Sequence, residues 1–202
     1  MHVVGSPKQD ASGSTRVARA FLDAYREAHP HDEVSTLDVF ASDLPRFGAD
    51  LAIAKLAPLV GDRRTPEQEA AWRDVEAVVR DFDAHDKIVI SSPMWNFGVP
   101  WALKHYIDLV VQPGLSFGLD DAFAHVGLLA DRPVQLVLTR SSPLPPGSPA
   151  DFQRPYLEHV LGFIGLHDVR TLVVEGTTLP HAAREKLFAR SCEEARAAAA
   201  RF

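Results

Sequence analysis

The chain has 202 residues, a length typical of one domain, and its 46% hydrophobic and 24% charged residues are the balance of an ordinary globular protein. A formal net charge of -6 disfavours nucleic acid or an anionic membrane surface as the main partner. The single cysteine, Cys192, excludes an intramolecular disulfide and a cysteine-rich metal site, and no metal is predicted. No secretory signal is visible and no apolar stretch reaches the roughly 20 residues of a membrane span, so we expect a cytoplasmic protein without membrane partners.

The predicted elements alternate between strands and helices. The first apolar run, residues 1–4, is the end of a strand that is either short or preceded by a few further residues. A polar loop over residues 5–13 leads into a helix whose apolar residues recur at helical spacing, with Ser12 or Ser14 as its candidate cap. Residues 33–39 alternate between apolar and polar, which predicts a strand near the edge of a sheet.

The stretch from residue 40 to residue 65 is less regular, with a short helix predicted over residues 49–59. A strong helix start follows it. Thr65 stands at the N-cap, Pro66 at the first helical position and Gln68 where a capping box needs it. The apolar spacing then carries the helix to about Ala84.

Residues 87–91 form a continuous apolar run, which is typical of a strand buried on both faces. The remaining predictions are a helix over 100–111, a strand over 134–139, a helix over 156–164, a strand over 169–175 and a helix over 180–201. Five strands that alternate with helices predict a doubly wound parallel sheet. Ligands bind beyond the carboxyl ends of the strands in such a sheet, so the loops that follow the strands are the candidate sites.

The loop after the first strand ends in Ser12, Gly13 and Ser14 at the start of a helix. Unpaired backbone N–H groups and the helix dipole attract anions there, and the Ser6 hydroxyl adds a donor. A monophosphate fits this loop best, because neither a GxGxxG nor a GxxxxGK[ST] motif is present. The alternative is that the serines only cap the helix.

The loop after the third strand contains Pro93, Met94, Trp95, Asn96 and Phe97. Aromatic and thioether side chains pack well on a flat ring, and the Asn96 amide can bond the edge of a heterocycle. The alternative is a packed loop that closes the end of the sheet.

The loop after the fourth strand supplies hydroxyls and a guanidinium from Thr139, Arg140, Ser141 and Ser142. An ordinary surface turn is the alternative for this segment. No side chain is predicted to act as a catalytic nucleophile, since no GxSxG motif is present.

Several blocks of sequence occur in the order of a known family. They include Pro93-Met94-Trp95-Asn96-Phe97, then Leu103-Lys104 with Asp108-Leu109-Val110, then Pro155-Tyr156-Leu157 with Leu161-Gly162-Phe163-Ile164-Gly165, and finally Glu175-Gly176. Through these blocks the chain resembles the FMN-dependent NADH-azoreductases, within the flavodoxin-like NAD(P)H:quinone oxidoreductases, over nearly its full length.

The resemblance implies a single flavodoxin-like domain over residues 1–202, with a five-stranded parallel sheet in the order 2-1-3-4-5 and helices on both faces. It also implies a homodimer that binds FMN noncovalently. By this resemblance the first loop (Ser6, Ser12, Gly13, Ser14) holds the phosphate, the second (Pro93, Met94, Trp95, Asn96, Phe97) lines the isoalloxazine, and the third (Thr139, Arg140, Ser141, Ser142) holds the pyrimidine end.

The implied activity is two-step: NADH or NADPH passes a hydride to flavin N5 and leaves, and a quinone or azo compound then takes the electrons. Five positions depart from the family pattern. Trp95 replaces the usual Tyr, Ser141-Ser142 replace paired glycines, Gly13 replaces a Gln, and Leu119 stands where some relatives carry a Tyr.

Two other functions are open to a chain of this type. A flavodoxin-type electron carrier binds FMN but has no place for nicotinamide, and the aromatic residues Trp95, Trp101 and Phe117 favour an enzyme over it. An esterase or phosphodiesterase needs a nucleophile or a metal cluster, and neither is visible in the sequence.

Overall fold

The computed structural model describes residues 1–202, except for the side chain of Asp10. The strands of the described chain are β1 (His2–Val4), β2 (Thr36–Asp38), β3 (Ile88–Pro93), β4 (Phe117–Leu119), β5 (His125–Gly127), β6 (Val134–Arg140) and β7 (Val169–Glu175). Its α-helices are α1 (Gly13–Ala28), α2 (Ala49–Leu56), α3 (Pro66–Asp83), α4 (Trp101–Val110), α5 (Arg154–Phe163) and α6 (His181–Ala199). The predicted elements are therefore present, with boundaries shifted by a few residues.

The main sheet has five parallel strands in the order β2-β1-β3-β6-β7. Counted among the strands of this sheet alone, the order is 2-1-3-4-5, which confirms the predicted fold class. The small antiparallel hairpin of β4 and β5 was not predicted. Each of its strands has only three residues, too few for an alternating pattern to be visible in the sequence.

The sheet buries both of its faces against helices. Ile88 and Ile90 of β3 point into the core formed with α3, α4 and α5, whereas Val89 points into the core formed with α1 and α6. Successive strand side chains face opposite sides, so a strand between two helical layers must be apolar throughout. This is why the continuous apolar run predicted a central strand correctly.

The two predicted helix caps have different outcomes. The capping box of α3 is confirmed: Gln68 N donates to Thr65 Oγ1 over 3.2 Å, and Thr65 N donates to Gln68 Oε1 over 2.9 Å. Ser12 does occupy the N-cap position of α1, but its side chain makes no capping bond, and neither serine caps the helix in this way. The Ser12 hydroxyl instead lies 3.0 Å from the Ser14 hydroxyl.

The order of the strands decides where a ligand can bind. The chain moves outward from β1 to β2 and then returns to place β3 on the other side of β1. The connections on the two sides of this point leave the sheet in opposite directions, which opens a crevice beyond the carboxyl ends of β1 and β3. Among the described residues, no helix has the length and apolar character needed to cross a membrane.

Candidate functional site

The loop after β1 surrounds the start of α1 with buried hydroxyl groups. Ser6, Ser12 and Ser14 are all less than 5% exposed. The bond between Ser12 Oγ and Ser14 Oγ uses only one of their two O–H groups, so the other remains available to an acceptor. The first turn of an α-helix also leaves backbone N–H groups without intrahelical acceptors. The loop is therefore a set of donors suited to an anion.

Gly13 lies between these serines, against α6. A Cβ atom at this position would lie 2.4 Å from Cζ and 2.7 Å from Cε1 of Phe188. No side chain can be accommodated without moving that ring, so the close approach of α6 to the loop requires glycine here. The ring of Phe188 thus occupies the space where the family's usual Gln would project.

The loop after β3 is a tight two-residue turn. Trp95 N donates to Gly98 O over 3.0 Å, Gly98 N donates to Trp95 O over 2.9 Å, and Met94 N donates to Thr139 O. Asn96 and Phe97 between them have left-handed backbones, with φ of 46° and 72°. Turns of this type favour Asn and Gly, and a Phe in this conformation is strained.

The side chains of this turn face outward. Trp95 is 42% exposed and Phe97 58%, so two aromatic rings stand in solvent beside the sheet. Among the described residues, the Asn96 amide makes no hydrogen bond, and it is free to bond a ligand. A loop that merely closed the end of the sheet would bury its rings, so the packed-loop alternative does not describe this turn.

The loop after β6 begins with a buried Thr139 and an engaged Arg140. Arg140 Nη1 donates to Asp151 Oδ2 and Arg140 Nε donates to Glu175 Oε1, each over 2.7 Å. The Ser141 carbonyl accepts from Thr178 Oγ1 over 3.1 Å. The guanidinium is therefore committed to two carboxylates, while the backbone of Ser141 is fixed from the β7 side.

A cleft of about 580 Å³ joins the three loops. Nine of the thirteen residues predicted from sequence line it, namely Ser6, Ser12, Gly13, Pro93, Met94, Trp95, Thr139, Arg140 and Ser141. Among the described residues of these loops, Ser14, Asn96, Phe97 and Ser142 do not line it. The structure thus brings together residues from loops that are more than 40 positions apart in sequence.

The sequence analysis missed one side of this cleft. Thr177 and Thr178 follow β7, and Arg184, Glu185 and Phe188 come from α6. The rule that ligands bind beyond the carboxyl ends of the strands also predicts the two threonines, because they follow the last strand of the sheet. The residues of α6 carry no such signal, since only the packing of α6 against α1 places them here.

The charge of the cleft is opposite to that of the chain. Among the described side chains that line it, Lys8, Arg16 and Arg184 stand with one carboxylate, Glu185, and Arg16 Nη1 lies 2.8 Å from Glu185 Oε2. A cleft that concentrates positive charge in a chain of net charge -6 favours an anionic ligand. No group of acidic, His or Cys side chains suited to a metal ion occurs in the described part of the chain.

Two larger clefts lie elsewhere. One of about 830 Å³ contains Met1, Tyr25, Lys87 and Phe202, and another of about 860 Å³ contains Phe40 and Trp101. Size does not identify the site, because neither contains the serine loop or the turn after β3. The candidate ligand site is the smaller cleft, because of the chemistry of its lining.

The parallel sheet and the cleft at the carboxyl ends of its strands define a protein of flavodoxin-like fold, and the family model with that description matches residues 1–199. The chain is 46% identical over 207 residues to the FMN-dependent NADH:quinone oxidoreductase of Nitratidesulfovibrio vulgaris, covering 100% of this chain and 98% of that protein. It is 39% identical to FMN-dependent NADH:quinone oxidoreductase 9 of Burkholderia lata, covering 88% of this chain and 87% of the relative.

Solved structures give the same result. An azoreductase from Bacillus anthracis superposes with a TM-score of 0.87 at 28% identity, covering 100% of this chain and 98% of that one. The chain therefore belongs to the family of FMN-dependent NADH:quinone oxidoreductases and azoreductases, which confirms the family that its sequence blocks resemble.

Proposed function

We propose that this protein is an FMN-dependent NADH:quinone oxidoreductase that also reduces azo compounds. The observation that carries the proposal is the cleft itself, which brings the serine loop after β1 together with Trp95 of the turn after β3. A second exposed ring, Phe97, stands on the same turn outside the lining of the cleft. The names of the relatives state the same cofactor, donor and acceptor class for those proteins.

The residues present fit FMN. The free O–H of the Ser12–Ser14 pair, the Ser6 hydroxyl and the start of α1 suit one phosphate, and Lys8 and Arg16 add positive charge. Pro93, Met94 and the turn at 95–97 offer apolar surface to a flat ring. Thr139 and the backbone of residues 140–142 would bond the pyrimidine edge.

Bound FMN supplies the redox chemistry, accepting a hydride from NADH and passing electrons to the acceptor. The chain's own residues bind and orient the reactants. The exposed rings of Trp95 and Phe97 provide a surface on which a nicotinamide or a quinone can pack. No side chain needs to form a covalent bond, so no catalytic nucleophile is assigned.

We also propose that the protein is a cytoplasmic homodimer of single-domain chains spanning residues 1–202. Large apolar side chains outside the cleft support the dimer, since Trp101 is 68% exposed and Phe123 82%. Light scattering at micromolar concentration should give about twice the 22.2 kDa of one chain. A monomer with full turnover would contradict this part of the proposal.

The visible spectrum of the purified protein tests the main proposal. We expect a bound yellow flavin that is released as FMN and not FAD, that bleaches under NADH in anaerobic buffer, and that recovers its colour when a quinone is added. Repeated turnover distinguishes the enzyme from a flavodoxin-type electron carrier. Such a carrier would bind the flavin, but NADH would not reduce that flavin. A colourless protein that does not take up FMN would overturn the proposal.

A further inference from the structure

Arg140 connects three segments at the carboxyl end of the sheet. It is the last residue of β6, and in the sheet register it lies beside Glu175, the last residue of β7. Its Nε donates to Glu175 Oε1 and its Nη1 to Asp151 Oδ2, each over 2.7 Å. The side chains of Arg140 and Asp151 are only 11% and 12% exposed. A buried guanidinium that bridges two carboxylates fixes geometry more strictly than a single surface ion pair does.

Asp151 uses its second oxygen on the backbone. Asp151 Oδ1 accepts from the N–H groups of Gln153 and Arg154, each over 3.1 Å, at the start of α5. Burial by itself would raise the pKa of Asp151, but the bonds from Arg154 N, the Arg140 side chain and Gln153 N outweigh it and lower the pKa. The carboxylate is therefore charged and held on both sides.

The residues that follow Asp151 contact the turn that carries the aromatic rings. Phe152 N donates to Phe97 O over 3.0 Å, and Gln153 Nε2 donates to Ser92 O over 3.2 Å. Gln153 is 1% exposed, so this contact is buried. Phe97 is the strained residue of the turn, with φ of 72°, and such a conformation persists only when its surroundings hold it.

We propose that Arg140 and Asp151 are positioning residues that set the 94–97 turn for flavin reduction, with Glu175 fixing Arg140 in turn. Neither carboxylate needs to touch the cofactor. The order of contacts is Glu175 to Arg140, Arg140 to Asp151, and then through the backbone of Phe152 to Phe97. Glu175 also holds the loop after β6, because its Oε1 accepts from Leu144 N over 3.0 Å. The inference rests on the proposed function, since it assigns these residues a role in that reaction.

The test compares the two ends of β6. Arg140→Lys removes the guanidinium that bridges the two carboxylates but keeps the charge, and Asp151→Asn keeps an oxygen for the α5 N–H groups while losing the charge. Arg132→Lys is the matched control, because Arg132 lies before the other end of β6, is 10% exposed, and binds Asp83 with an N–O distance of 2.6 Å. Each protein is reconstituted with FMN and reduced by NADH in a single anaerobic turnover.

We expect Arg140→Lys and Asp151→Asn to slow flavin reduction by about tenfold or more, because small displacements of a reacting surface have large effects on rate. The visible circular dichroism of the bound flavin should change, and the Phe152 amide should exchange its hydrogen faster. Arg132→Lys should lower the unfolding midpoint of the protein without changing any of these signals.

The inference is overturned if Arg140→Lys and Asp151→Asn resemble Arg132→Lys, with lower midpoints but unchanged flavin spectra and reduction rates. If Arg140→Lys does not fold, the milder Asp151→Asn and the exchange rate of its Phe152 amide decide the matter. A parent protein that holds no reducible FMN would refute the proposed function instead, so the two failures are distinguishable.

Discussion

The ring of Phe188 packs directly against Gly13, at the point where a side chain would otherwise begin. A Cβ at residue 13 would lie 2.4 Å from Cζ of Phe188, which is itself 6% exposed. The guanidinium carbon of Arg16 lies 5.2 Å from the centre of the same ring. Gly13, Phe188 and Arg16 therefore form one wall of the cleft, and the conformation of the serine loop depends on how closely α6 approaches it.

Gly13→Ala should destabilise the protein and weaken FMN binding. Alanine is a better helix former than glycine, but its Cβ would collide with the Phe188 ring and displace it, and overpacking of this kind costs about 1–3 kcal/mol. Urea unfolding of the apoprotein and fluorescence titration with FMN measure the two effects. Adding Phe188→Leu to Gly13→Ala should restore part of the loss relative to the two single variants.

Gly48→Ala provides the matched control for this prediction. A Cβ at Gly48 would have no atom within 4 Å, so the substitution should leave FMN affinity as it is in the parent. A Gly13→Ala protein that is as stable as the parent and binds FMN equally well would show that the contact with Phe188 is not restrictive.

Phe97→Gly should make the apoprotein more stable and should lower the NADH-dependent turnover of the enzyme. Phe97 has a φ of 72°, and a side chain in the left-handed region costs roughly 1 kcal/mol that glycine does not incur. Its ring is 58% exposed, so little packing is lost. The unfolding free energy should rise by about 0.5–1 kcal/mol, while NADH-dependent turnover falls because the ring is removed from the ligand surface.

Phe123→Gly separates strain from function. Phe123 also has a positive φ, of 60°, and is 82% exposed, but it belongs to the turn between β4 and β5 and not to the turn after β3. The Phe123→Gly protein should gain stability in the same way and keep the parent's affinity for FMN. If Phe97→Gly lowers the unfolding free energy, the turn is not strained in the sense proposed.

The sequence predicted most of the fold because the signals are local and agree with each other. The capping box at Thr65 and the apolar run before Ser91 each follow from a few neighbouring residues. The hairpin of β4 and β5 has no such signal. In the cleft, the loops after β1, β3 and β6 follow from the topology, whereas the Phe188 contact and the bridge from Arg140 to Asp151 depend on tertiary packing that no local pattern encodes.

Asn96→Gly should isolate the role of the Asn96 amide. Asn96 has a φ of 46°, so Asn96→Ala would strain the turn and remove the amide together. Glycine accepts this backbone and removes only the amide. We expect the apoprotein of Asn96→Gly to unfold at the parent midpoint, while the FMN complex loses roughly 1–3 kcal/mol if a bonded flavin atom is left without its partner. Normal FMN binding and parental reduction by NADH in Asn96→Gly would show that the flavin ring does not lie against residues 94–97.

His2 should make the stability of the fold depend on pH. Its Nε2 lies 2.9 Å from the Ser91 hydroxyl in the middle of the sheet, and the residue is 3% exposed. Burial, reinforced by the N-terminal ammonium group and by Arg19 and Arg26, lowers the pKa of His2 from 6.5 to about 4. The folded protein thus keeps the ring neutral at pH values where the unfolded chain binds a proton.

The contribution of His2 to stability is present above pH 6.5 and is lost as the pH falls toward 4, because the unfolded state alone takes up the proton in this range. A pKa lowered by this amount corresponds to a loss of about 3 kcal/mol at the acid end. His2→Gln keeps a hydrogen-bonding side chain but does not titrate. We expect its free energy of unfolding, measured in urea from pH 7.5 to pH 4, to fall less steeply than that of the parent. Carboxylates affect both proteins alike, so the difference between the two curves isolates His2, and a constant difference across the whole range would contradict the prediction.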